Sequence, residues 1–466
     1  MGLKRDLLRV SGSNLIVLVS SVINGFLLPS VLSIDSFANY KTYTLYVGFV
    51  GFLHLGFVDG INIKYGGKEE IEVDIIEFNL YHKFFLLFQS LVVFVVLTLG
   101  FVIKDNFLLL LALSILPLNL QSLFLFYYQA IRKFKIYSKG VIFAPLTSIV
   151  ITISLIFLGV KQYNYYVFSS IIGYIGSVIF MEFFHYKTHG FGSHNIIKNE
   201  EPKTLFNDSI KQIFISGFFI MTGNILFKLF FDSGKWMAKL FTDNEGFAQF
   251  SLGISLIGFV LLFINTINKT FYPYLYHNFS DEVVNKYKKI LTVIGSFSLV
   301  GFFVLKKIVV TFLPKYEEAL FITAILITSI PGMMVIRSLY VNYYKIKKRE
   351  LKFVIDSLFF LSISIVINIT FFYCVGGLKG IAMSSVLSIY IWTFFPKGIQ
   401  KKKIPNVVYE LVYYLIVFFV FFYLVELELN LFISFILMLI FLIIINFVFY
   451  RDVIKNLLKS LIKKQN

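Results

Sequence analysis

Three cations stand inside long apolar runs of this chain: Lys228, Lys269 and Arg337. A charge at bilayer depth costs roughly 2.5 to 3.5 kcal/mol on insertion scales, so each is expected to face a cavity, a partner or a ligand. Arg337 is the only arginine so placed, six residues after Pro331 and six before the pair Tyr343-Tyr344. A planar guanidinium there could pair bidentately with a phosphate; the plainer alternative is an interhelical salt bridge or a side chain snorkelling to the inner surface. Lys228 precedes Asp232 by four residues, the spacing of an intrahelical ion pair, and that structural role is the simpler expectation. Lys269 lies beside Asn265 and Asn268 in the polar segment INTINKTFYPYLYHN, as either a cavity group or an interface anchor.

Among the anions, Asp59 falls in GFVDGINIKYGG, where Gly56 and Gly60 form a small-xxx-small pair that allows close helix contact. Asp59 would pair with Lys64 or with a cation of the other half, or couple a proton or sodium ion. Glu182 and Asp356 lie nearer loop ends, where a solvated or interfacial position is expected. Asn24, His54, Asn62, Gln89 and Asn224 could line a hydrated path or bond across helices. His185, His189 and His194 fit no standard zinc spacing, and the single cysteine, Cys374, has no disulfide partner in the chain. There is no Walker phosphate loop, dinucleotide glycine fingerprint or nucleophile elbow. No cofactor, metal or enzymatic activity is expected. Uphill transport would draw on an ion gradient, the membrane potential or consumption of the product.

Membrane helices must position these groups. The chain has 466 residues, 58% hydrophobic and 15% charged, with a mean hydropathy of +0.81. Soluble chains are about a quarter charged, so a soluble enzyme is excluded. Apolar windows of about 19 residues centre near Val22, Gly51, Phe94, Phe124, Ile151, Ile175, Met221, Gly258, Val300, Met333, Val366, Ile389, Phe419 and Ile440. The expectation is an all-α polytopic membrane protein of about 14 transmembrane helices, with the first, from about Asn14 to Ser33, retained. Short cytoplasmic loops collect Lys and Arg. With the N-terminus inside, 31 of the 43 fall on the cytoplasmic side, nine opposite, and three within spans. Both termini are therefore expected inside, and the net charge of +17 reads as topology, with no nucleic-acid partner.

A weak internal repeat divides the spans. LSILPLNLQSLFLFYYQAIRKFK carries Pro117, Tyr127-Tyr128 and a basic run; ITSIPGMMVIRSLYVNYYKIKKRE carries Pro331, Tyr343-Tyr344 and another. The tyrosine pairs are 216 residues apart, an offset that sets Gln121 opposite Arg337. Six intervening spans make the copies parallel repeats. Expected boundaries are residues 1–186 for an N-terminal six-helix lobe, 187–210 for a cytoplasmic linker, 211–397 for a second six-helix lobe, and 398–466 for two added helices with a basic tail.

Several segments resemble polysaccharide flippases of the multidrug/oligosaccharidyl-lipid/polysaccharide exporter superfamily: LYVGFVGFLHLGFVDGINIKYGG, FYYQAIRKFKIYSKGVIFAP, FFDSGKWMAKLFTDNEGFAQFSLGISL, FLPKYEEALFITAILITSIP and GGLKGIAMSSVLSIYIW. The resemblance spans essentially the whole chain and implies two lobes around a cavity, alternating access, and export of an undecaprenyl-diphosphate-linked oligosaccharide across the bacterial cytoplasmic (inner) membrane for O-antigen lipopolysaccharide, capsule or a related glycan, in partnership with glycan polymerase machinery. Arg337 matches the family's cationic cavity role best, with Lys269 and Lys228 behind it and Gln121 and Asn24 as polar cavity candidates. No arginine follows Arg9 in the first two spans, unlike the richer cation sets of lipid II flippases, which implies a substrate other than a peptidoglycan precursor. Two other classes have different requirements. A drug or metabolite antiporter wants acidic cavity groups, for which Asp59 is the candidate, and a membrane glycan polymerase or ligase wants a large outer loop.

Overall fold

A computed structural model describes residues 3–189, 208–258, 280–396, 404–427, 429–452 and 454. Every regular element among them is helical. α1 (Leu3–Val22) runs through a π turn, Ile23–Leu27, into α2 (Leu28–Val31); then come α3 (Ile34–Val50), α4 (Phe57–Tyr65), α5 (Ile75–Ile103), α6 (Asn106–Ala130), α7 (Phe134–Phe157), α8 (Tyr163–His189) and α9 (Asp208–Phe241). After α10 (residues 244–258) follow α11 (Asp281–Ser296), α12 (Gly301–Phe312), α13 (Ala319–Ile327) and α14 (Ile330–Val335). A π turn, Ile336–Tyr340, leads to α15 (Val341–Ile346), then α16 (Glu350–Phe371), α17 (Gly377–Phe394), α18 (Ile404–Glu426) and α19 (Leu431–Phe449). Polar side chains placed at the boundaries start several helices: Ser33, Asp74, Asp105, Ser280 and Asn430 each accept a bond from an orphan first-turn amide.

Among the described residues, nine helices are long and apolar enough to cross a membrane, or ten if the bent pair Ala319–Ile327 and Ile330–Ile346 is one span. The fourteen expected spans are not all single long helices, for physical reasons visible in the chain. Residues 51–56 break the second into α3 and α4. One of the nine long helices, Glu350–Phe394, is 45 residues, about twice the roughly 20 that a bilayer needs. It folds back on itself: Ser384 Oγ donates to Asn368 Oδ1 at 2.6 Å, and Phe360 stacks on Trp392 at 4.6 Å, pairs that step apart symmetrically about Gly376. Gly376 (φ 97) and Gly377 (φ 50) supply the left-handed backbone of that reversal.

The chain packs as two units, Met1–Ile225 and Leu226–Asn466, dividing within α9. The repeat is reproduced in backbone detail. In the first unit Arg132 is left-handed (φ 59), Lys133 N donates to Tyr128 O at 2.8 Å, and α7 begins; 216 residues later Lys348 (φ 50), Arg349 N to Tyr344 O at 2.9 Å, and α16 do the same. In the second unit, α18 and α19 dock on one stripe of α11. Lys288 Nζ reaches Glu410 at 2.5 Å, Thr292 meets Tyr414 at 3.1 Å, and Ser296 receives Asn446 Nδ2 at 3.2 Å. The i, i+4, i+8 spacing of 288, 292 and 296 puts these groups on one face of α11.

In the first unit the sequence-read glycine pair is a contact surface. Gly56 and Gly60 lie directly against Gly217 and Ile213 of α9, so a methyl at Gly60 would overlap the Ile213 carbonyl and one at Gly217 the Gly56 carbonyl. Aromatic packing closes around it, with Phe57 stacked on Phe85 at 5.1 Å and Phe214 also 5.1 Å from Phe57. Gly60→Ala and Gly217→Ala should each lower the melting temperature of the detergent-solubilised protein by several degrees, since overpacking costs about 1–3 kcal/mol. Gly12→Ala, where nothing lies within 4 Å, should leave it unchanged.

Candidate cationic pocket

α9 carries a stripe of charges at Lys228, Asp232 and Lys235, spaced i, i+4, i+7. Lys228 Nζ bonds Asp232 Oδ2 at 2.6 Å, as the spacing predicts. Asp232 and Lys235 also line a cavity of about 80 Å³ together with Phe231, Ser329, Met333 and Arg337. The carboxylate of Asp232 is close enough to act electrostatically on Lys235 and Arg337 as well. Among the described residues, the Asp232 carboxylate is thus shared by Lys228, Lys235 and Arg337.

The backbone that presents Arg337 is irregular for a readable reason. Pro331 lacks an amide hydrogen and its ring opposes the carbonyl four residues earlier, Ile327, where α13 ends. The two helices meet at 48°. The carbonyl of Thr328 freed at this bend accepts from Tyr390 Oη at 2.7 Å, and Gly295 of α11 admits Pro331 at close quarters. The following turn, Ile336–Tyr340, is π-helical and rotates Arg337 toward the cavity wall. Its guanidinium lies 4.2 Å from the centroid of the Phe231 ring, and its buried Nε has no hydrogen-bond partner. A cation on an aromatic face is held in place while its N–H groups remain available for an anion. The cavity is well below the roughly 300–1,000 Å³ that encloses a whole small molecule, and suits one anionic group of a larger ligand.

Arg337 and Lys228 therefore come together in the second unit, joined by Lys235, one of the nine cations that the charge pattern puts on the outer side. The signal for it was the helical period from Lys228 through Asp232, masked by the expectation that the span ends sooner. Lys269 lies outside the described residues, as does His194. Gln121 is in the first unit, where its amide bonds Ser177 Oγ at 2.9 Å and Gly140 O at 3.3 Å, tying α6 to α8 and α7. Asn24 is half-buried in the π turn between α1 and α2. Asp59 does not pair with Lys64, which instead bonds Glu77 at 2.6 Å and Tyr81 at 2.5 Å; its neighbour is His54, Nε2 to Oδ2 3.8 Å. Asp356 and Glu182 are not solvated loop-end groups. Asp356 is 3% exposed and accepts from Tyr344 Oη at 2.6 Å, and Glu182 lies 2.8 Å from His82 Nε2. His185 packs in the first unit with Nε2 2.8 Å from Asn79 Oδ1.

No family model and no curated protein matches the chain. Among solved structures, it is similar to a lipid II flippase, MurJ, in an inward closed conformation, with a TM-score of 0.68, 16% identity, and coverage of 96% of this chain and 99% of that one. A structure of MATE in complex with Br-NRF gives a TM-score of 0.44 and 12% identity over 84% and 93% of the two chains. The chain thus shares the fold of the first of these structures over nearly its whole length.

Removing the Asp232 carboxylate should leave Lys235 and Arg337 with less counter-charge. Asp232→Asn should lower the melting temperature, and millimolar pyrophosphate should raise it more in the variant than in the parent protein, read by thermal shift in detergent.

Proposed function

We propose that this protein is a lipid-linked oligosaccharide flippase, moving an undecaprenyl-diphosphate-linked glycan repeat from the inner to the outer leaflet of the bacterial cytoplasmic membrane by alternating access. The observation that carries this reading is the pocket lined by Arg337, Lys235 and Asp232, the last already bonded to Lys228, with an unpartnered guanidinium Nε in its wall. Its small volume fits a phosphate group while the saccharide lies outside it. The shared fold with a structure described as a lipid II flippase is consistent with a lipid-linked cargo.

On this reading the head group enters from the inner leaflet and its phosphate displaces Asp232 as the counter-charge of Arg337 and Lys235. The tail remains in lipid while the head is carried across by alternating access. Asp232 keeps the empty pocket partly neutral, so the cations are not left bare when the cargo departs. The absence of arginine after Arg9 in the first two spans favours an O-antigen, capsule or related repeat over a peptidoglycan precursor. A drug-cation antiporter would need the opposite sign of charge in this pocket.

In a strain dependent on this gene for its surface glycan, Arg337→Ala at normal protein levels should reduce surface glycan by at least about tenfold, the effect of about 1.4 kcal/mol. Arg337→Lys should recover only part, because an ammonium cannot reproduce bidentate pairing. Full export by both variants would remove Arg337 from the mechanism.

A further inference from the structure

The break in the second span has its own chemistry. Between α3 and α4, residues 51–56 form successive tight turns, with Leu55 (φ 51) and Gly56 (φ 88) left-handed. Side chains from two other helices bond the backbone here: Gln89 Nε2 donates to Leu53 O at 3.3 Å, and Asn119 Nδ2 to Gln89 Oε1 at 2.7 Å and to Val50 O at 3.3 Å, which also accepts from Leu53 N. Asn119 is completely buried at this turn, and its Oδ1 has no partner.

His54 lies in the middle of the break, 6% exposed, and its Nδ1 accepts a hydrogen bond from the Gly56 amide at 3.1 Å. A ring nitrogen that accepts carries no proton, so the imidazole is neutral here with its proton on Nε2. That nitrogen faces Asp59 Oδ2 at 3.8 Å, beyond hydrogen-bond length, so the pair is aligned and unclosed. A second proton on the ring can go only to Nδ1, where it meets the Gly56 N–H head on. Taking it up therefore breaks the bond that holds the left-handed residue preceding α4, and creates an imidazolium that Asp59 attracts. Gly56 is also the residue whose carbonyl lies against Gly217 of α9, so its displacement bears directly on that helix contact.

Other titratable groups lie on the elements packed against the break. On α5, Glu77 and Tyr81 bond Lys64, and His82 faces Glu182 of α8. On α6, Tyr127 stacks on Phe78 at 3.8 Å; on α3, Tyr43 meets Ser114 at 2.8 Å; on α9, Lys211 is exposed.

We propose that the broken turn 51–56 and Asp59 form a proton-binding site, in which one proton taken from solvent is shared by His54 and Asp59, releases the Gly56 amide and loosens the second span from Gly217 of α9. The experiment is hydrogen exchange read by mass spectrometry on the full chain in lipid nanodiscs, with rates normalised for the intrinsic pH dependence of exchange. From about pH 8 to about pH 5, the segment 51–60 of the parent protein should lose protection by about tenfold. His54→Gln and Asp59→Asn should abolish the pH response, and His82→Gln should retain it. The proposal is overturned by pH-independent protection in the parent, or by an undiminished response in either His54→Gln or Asp59→Asn. It is equally overturned if replacing sodium by choline at fixed pH reproduces the change, since the bound cation would then be a metal ion. The two parent-protein arms decide the matter even where a variant does not fold.

Discussion

The hydrocarbon core of a bilayer contains no water to satisfy a freed amide or carbonyl, and the irregular parts of this molecule follow from that constraint. At two of the helix breaks, side chains from other helices bond the backbone. Gln89 and Asn119 answer Leu53 and Val50 at the first break, and Tyr390 answers Thr328 at the second. His54, within the first break itself, accepts from the Gly56 amide. These polar residues sit in apolar helices because a backbone group left unpaired there costs several kcal/mol. The breaks in turn are where the chemically capable groups lie, because only an irregular turn can aim His54 or Arg337 away from the regular helical face.

Charge obeys the same economy. Lys64 with Glu77, Lys228 with Asp232 and Lys288 with Glu410 are matched pairs. Arg337 is different in kind: it rests on the Phe231 ring, shares the influence of a carboxylate already bonded to Lys228, and keeps Nε unpartnered. Pairing removes most of the cost of a buried charge and also most of its capacity to bind anything else. The imbalance around Asp232 is therefore the feature that a ligand of opposite charge can resolve.

α9 connects these themes within a single element. Its early turns present Gly217 to Gly56 and Gly60, and its later turns carry Lys228, Asp232 and Lys235. Elsewhere the two halves repeat each other down to the left-handed residues Arg132 and Lys348 and the bonds that follow them.

Much was fixed by local sequence. Apolar run length determined that the chain is an all-helical membrane protein, because burial in lipid depends on composition over about 20 residues and on no distant partner. The Lys228–Asp232 pair, the bend at Pro331, the close contact of Gly56 and Gly60 and the 216-residue repeat were legible for the same reason: each follows from spacing along one helix or from a single residue's stereochemistry. Partner choice across helices was not. Asp59 facing His54 instead of Lys64, Asp356 buried under Tyr344, Gln121 committed to Ser177, and Lys235 joining Arg337 all depend on which helices pack and at what rotation. Apolar faces with nearly uniform composition leave that rotation unmarked in the sequence. Only the packed structure, by bringing residues more than a hundred positions apart to within a few ångströms, decided which charges neutralise one another and which remain free to act.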